Sequence, residues 1–278
     1  MSEILFAPEM ILLRRALLLA VLAAPVLGVV GSLVVTRRIS SLAGASAHTA
    51  LGGVGLALYL QRVWGLTWCN GALGALAGAV AAAIVVGMVN IYAKEREDTV
   101  IGVVWALGMS IGLLFLDRTP GYVDWQGYLF GNILLIPESE LWLTALLDAV
   151  VLVLIWCFYN RILAMSFDAT FARLRGICIN CLYLMVLILT ALTVVMLIRI
   201  VGIILVIALL TLPAATSGAL TRHLWSMMTL GAVLSWIFIT GGLLLSYFLD
   251  LPSGPAVVVL ASAGYLLVLL WKKLHPQD

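Results

Sequence analysis

Charge is scarce in this 278-residue chain: 10% of its residues are Asp, Glu, Lys or Arg, against about 25% in soluble domains. Hydrophobic residues make up 64% of the chain, and mean hydropathy is +1.19. Too few polar groups remain to cover a globule of this size. A soluble enzyme, a disordered chain and a nucleic-acid binder are all excluded. The net charge of +2 singles out no anionic partner. Four cysteines make no disulfide framework. The chain has no Gly-x-x-x-x-Gly-Lys-Ser/Thr run to cradle nucleotide phosphates, no His-Glu-x-x-His and no Gly-x-Ser-x-Gly elbow. It is therefore expected to carry no catalytic site and to bind no cofactor of its own.

What the chain has is long apolar runs, too long for barrel strands. Each membrane crossing needs roughly 20 apolar residues. The runs fall at about 13–35, 41–60, 69–92, 99–116, 141–159, 177–198, 200–218, 224–247 and 254–271. The expectation is an all-α polytopic membrane protein, a bundle of about nine helices forming one transmembrane domain over 1–278 in the lipid bilayer. Eight is the alternative, because only Arg199 and its neighbours part the sixth run from the seventh. The first run is too long for a signal-peptide core, so it is read as a true span.

Basic residues set the orientation. With the N-terminus outside, ten lie inside, from Arg37 and Arg38 to Lys272 and Lys273, and five outside. Arg14 and Arg15, ahead of the first span, run against that trend. Gly71, Gly74 and Gly78 form one stripe and Ala75, Ala79 and Ala82 another, the pattern of close helix packing in lipid. Pro25 and Pro213 fall inside spans and are expected to kink them.

Ionisable residues within spans are few: His48, Asp148 and Arg199. Proton-coupled carriers hold more, so uphill transport would draw its energy from another chain. Asp148 is read as facing a packed interface. Cys178 and Cys181 form a lone CxxC, read as packing rather than as a zinc or redox site. Asn90 and Asn132 are read as bonds between helices, and His223 as part of a turn at the lipid surface. Trp64, Trp68, Trp125, Trp142, Trp225 and Trp271 sit near span ends, where aromatic belts form.

The segment 160–177 is the informative loop. Ser166 or Asp168 can cap a helix, Phe171, Leu174 and Ile177 share a face, and Gly176 suits its end. Two readings fit this amphipathic helix: one that lies on lipid, and one that inserts into a groove of a partner.

Four stretches resemble the permease subunit of the bacterial zinc/manganese/iron ABC importer family. They are 35–48 continuing into Leu51–Gly55, 96–102 with Tyr128–Gly131, Ser166–Asp168 through Ala172 to Gly176–Ile177, and 201–202 through Leu212–Thr216 with 250–255. The resemblance implies a homodimer in the bacterial plasma (inner) membrane. It also implies ATP-binding ATPase subunits on the cytoplasmic side and an extracytoplasmic metal-binding protein as donor. The cargo would be a divalent transition metal: zinc, manganese or iron. Segment 160–177 would hold a cytoplasmic coupling helix that meets the ATPase through Ser166, Phe167, Asp168, Ala172, Arg173 and Gly176. Many members of the family carry Asp-x-x-x-His on the second span; here the acid position is Gly44. The face then reads Ser41, Gly44, His48, Gly52, Gly55, with room expected beside His48. One imidazole does not complete a divalent shell. His48 is the pathway candidate, with Ser46 and Thr49 as weaker donors; a neutral histidine bonded to a neighbouring helix is the plainer reading. An ATP-independent carrier or channel for a small cation is the alternative function.

Overall fold

A computed structural model describes residues 11–93, 96–121 and 138–275. Among these there are ten helices and no strand. They are α1 (Ile11–Thr36), α2 (Ser40–Val63), α3 (Gly71–Tyr92), α4 (Glu97–Arg118), α5 (Glu138–Phe167), α6 (Ala169–Leu174), α7 (Ile179–Val201), α8 (Ile203–Leu220), α9 (Leu224–Leu249) and α10 (Ser253–Leu274). Seven are long and apolar enough to cross a membrane: α1, α3, α4, α5, α7, α9 and α10. The two other expected spans fall short for separate reasons. Serines, His48, Thr49, Gln61 and Arg62 dilute α2, and the apolar stretch of α8 runs only from Leu205 to Leu220.

Local chemistry explains several boundaries. α7 and α8 are separate helices, and Gly202 alone parts them, at a φ of 85° that a side chain would resist. α1 and α8 both continue through their prolines, Pro25 and Pro213. Asn70 caps α3 by accepting the Leu73 N–H at 2.9 Å. Inside the bundle Ser32, Thr190, Thr193, Thr216 and Ser235 donate to the carbonyl four residues back. That satisfies their hydroxyls where no water reaches.

α1 and α7 form the centre, with 67% of each apolar stretch buried. α4, α5 and α10 lie at the periphery, with 17%, 22% and 11%. Glycines bring backbones together. A methyl group on Gly28 would strike the Ala232 backbone, joining α1 to α9, and one on Gly31 would strike the Leu210 carbonyl of α8. α2 is held on two sides. Gly53 faces the backbone of Gly74 and Gly78 on α3, and Gly52 and Gly55 face Gly108 and Gly112 on α4. Trp64, Trp68, Trp142, Trp225 and Trp271 are all at least half exposed, as an aromatic belt requires. Trp125, Asn132 and Tyr128–Gly131 lie outside the described residues.

Candidate functional site

His48 sits two turns into α2, about 12 Å along the axis from Ser40 at 1.5 Å per residue. It is half-buried. Its Nδ1 lies 2.9 Å from the Gly44 carbonyl. A carbonyl only accepts, so Nδ1 carries the proton and Nε2 is the nitrogen left for another partner.

The room expected beside His48 is taken. The indole of Trp105, from α4, lies with its centroid 4.6 Å from that of the imidazole, tilted by 32°. The same indole fills the space a side chain at Gly44 would need, so that even a β-carbon there would overlap it. Gly44 is therefore a requirement of packing: a wide aromatic from the next helix occupies the place of a carboxylate. No pattern within α2 could have indicated Trp105, because the contact is tertiary and joins helices 57 positions apart in sequence (48 to 105).

Ser46 and Thr49 do not converge with His48 on one point. At 100° per residue Ser46 projects roughly 160° round α2 from His48. Its hydroxyl is fully buried and has no hydrogen-bond partner. Thr49 donates to Ala45 O at 2.8 Å, and Val104 O of α4 is a second acceptor at 3.3 Å, which ties α2 to α4. Among the described residues no three His, Cys, Asp or Glu side chains gather where a metal ion could be held. Asp148 is 4% exposed, and one of its carboxylate oxygens has no partner. It faces the packed side of α5, as expected. Beside α2 an apolar groove of about 800 Å³ opens between α3 and α4, lined by Thr49, Gly53, Leu56, Trp68 and Leu73 among others.

The second candidate region is α6. Asp168 is its cap: Oδ1 accepts the Phe171 N–H at 2.9 Å. Ser166 is not the cap, because α5 continues to Phe167 and the Ser166 hydroxyl turns back to donate to Ile162 O at 2.8 Å. Two hydrogen bonds end the helix, Gly176 N to Arg173 O at 2.9 Å and Ile177 N to Ala172 O at 3.1 Å. That double closure needs a left-handed residue at Gly176, whose φ is 74°. Ala172 is wholly buried, whereas Phe167, Phe171 and Leu174 are 70%, 48% and 84% exposed. Arg173 is also exposed, and the Arg175 guanidinium lies 4.9 Å from the Phe171 ring centroid. Cys178 and Cys181, expected to pack, are both exposed.

The fold and sequence have known counterparts. The model of the ABC 3 transport family matches residues 9–272. An uncharacterized membrane protein of Synechocystis is 39% identical over 94% of this chain and 91% of its own length. A manganese transport system membrane protein, MntC of Listeria monocytogenes, is 32% identical over 93% of this chain and 90% of its own. Among solved structures, PsaBC from Streptococcus pneumoniae in complex with Fab superposes with a TM-score of 0.81 at 28% identity, covering 95% of each chain. A multi-pass helical chain matched over nearly its whole length by that family model belongs to the ABC 3 transport family, the membrane-embedded permeases of ABC transport systems.

Proposed function

We propose that this chain is the transmembrane subunit of an ATP-driven importer of divalent transition-metal ions, with manganese, zinc and iron as the candidate cargo. The relatives support the cargo class, since one is named for manganese transport. The observation that carries the coupling part is α6. This six-residue helix, stopped at both ends by its own side-chain and glycine chemistry, leaves Phe171 and Leu174 uncovered, beside the exposed Phe167 at the end of α5. Such a surface fits a groove on a cytoplasmic ATPase subunit, and Arg173 and Arg175 at its edge fix the register. α2 and α8 cross the membrane with the other seven long helices, α2 shielded by its neighbours and α8 at about 27 Å of helix.

ATP binding by two partner subunits would pull two copies of α6 together. The paired bundles would pass between outward and inward access. An extracytoplasmic protein would deliver the ion, which is the substrate and is released again. His48 serves the pathway through Nε2. A second copy of the chain, backbone carbonyls and water complete the shell, since the described residues of one chain hold no cluster sufficient for it.

The test is uptake in proteoliposomes by the permease with its ATPase. Leu174→Glu should abolish ATP-driven uptake and loosen ATPase binding at least tenfold, with the fold retained. His48→Ala should lower uptake at least fivefold and leave ATPase binding unchanged. Full ATP-driven uptake by Leu174→Glu would reject the docking role; uptake without any ATPase would favour a carrier or channel.

A further inference from the structure

Cys178 and Cys181 lie where α6 meets α7, two and five residues beyond Gly176. Both are exposed, unlike the buried Cys69. Side chains three residues apart on a helix are neighbours, roughly 5–6 Å between β-carbons. A disulfide needs about 3.5–4.5 Å. The first residue of this pair is not bound by helix geometry: Cys178 is the N-cap of α7, with φ −72° and ψ 91°. A small rotation there closes the remaining gap without breaking the helix.

We propose that Cys178 and Cys181 are a vicinal dithiol that is reversibly oxidised to an intramolecular disulfide, and that the bond stiffens the α6–α7 joint and lowers coupling. The co-reactant is a low-molecular-weight disulfide. The Cys178 thiolate attacks one of its sulfurs, the S–S bond breaks and one thiolate leaves. The Cys181 thiolate then attacks Cys178 Sγ and expels the second. Two cysteine thiols are oxidised, one external disulfide is reduced to two thiols, and those take up the two protons. Cys178 stands at the N-cap of α7, ahead of the apolar span that begins at Ile179, which favours it over Cys181 as the attacking sulfur. Cytoplasmic disulfides are rare, and those that occur are mostly transient and redox-sensing. The effect on coupling rests on the reading of α6 as the docking helix; the disulfide itself does not.

The test uses the complete permease with its ATPase in proteoliposomes, equilibrated in glutathione buffers of rising oxidised fraction. Free thiols are counted by alkylation and mass spectrometry, and ATP-driven uptake is measured on the same samples. The wild type should lose the thiols at 178 and 181 together, with uptake falling at least threefold and recovering in dithiothreitol. Cys178→Ser should keep full uptake in the oxidising buffer; serine is a good N-cap, so the variant folds. Cys181→Ser should trap a glutathione adduct on Cys178. Thiols that stay free throughout would overturn the proposal, and so would pairing that leaves uptake unchanged. If reduced wild type shows no ATP-dependent uptake, the docking reading fails, and the thiol count alone still decides whether the pair closes.

Discussion

The guanidinium of Arg37, just beyond the end of α1, donates to the Met165 carbonyl in the last turn of α5 at 3.2 Å. It also lies 5.7 Å from the ring centroid of Tyr183 on α7. The last carbonyls of a helix lack partners within it, and a cation there is favoured by the helix dipole. One half-buried side chain thus fastens both roots of α6 to the turn that leads into α2, the helix of His48.

Under the proposed docking role of α6, Arg37→Ala should therefore uncouple that helix from the helix of His48. A charge-assisted hydrogen bond of this kind contributes about 1.5–3 kcal/mol. ATP hydrolysis by the complex should persist while metal moved per ATP falls severalfold. Arg37→Lys should be intermediate, since it keeps the charge and loses the planar stacking. The ratio of uptake to hydrolysis in proteoliposomes checks this; an unchanged ratio in Arg37→Ala would remove the link.

Gly44 and Trp105 should behave as one unit. Gly44→Asp alone overpacks the α2–α4 contact and should cost about 1–3 kcal/mol. Adding Trp105→Ala should recover most of that loss, although Trp105→Ala is itself destabilising. A double-mutant cycle on unfolding in mild detergent reads the coupling; additive effects would mean that the two positions do not share space.

Glycine positions should split by their surroundings. Gly53→Ala drives a methyl group into the Gly74 backbone and should destabilise by about 1–3 kcal/mol or more. Gly102 in α4 has open space around it. There alanine should stabilise by roughly 0.5–1 kcal/mol through helix propensity. Thermal unfolding of both variants in one detergent gives the opposite signs.

Gly176→Val should fray α6. A β-branched residue held at that φ costs about 1–2 kcal/mol, enough to open a six-residue helix. Hydrogen exchange at Phe171 to Ile177 should quicken while α5 and α7 keep their protection.

Much of this fold is legible in the sequence, because the bilayer imposes a simple length rule on apolar runs. Each of the nine runs falls on a helix, seven of them long and apolar enough to cross a membrane, and α6 shows itself through Asp168 and Gly176, whose chemistry is local. The choice of cap went to Asp168 over Ser166 because α5 ran on, and helix ends are where propensity is weakest. The site was less legible. A glycine beside a histidine reads as vacant space until the helix that fills it is placed, and Trp105 belongs to a different helix. The exposure of Cys178 and Cys181 likewise depends on where α7 begins, which CxxC spacing does not reveal.

The glycine contacts sort the bundle into two plates. α2, α3 and α4 touch backbone to backbone, and so do α1, α8 and α9. Within each set a side chain added at the contact glycines would collide with main chain. α7 touches both sets, and its buried face carries branched side chains such as Val194, Val195 and Ile198, which repack by changing rotamer. A methyl group gained at Gly28, Gly31 or Gly53 therefore meets main chain that cannot yield, whereas a substitution on the buried face of α7 meets side chains that can.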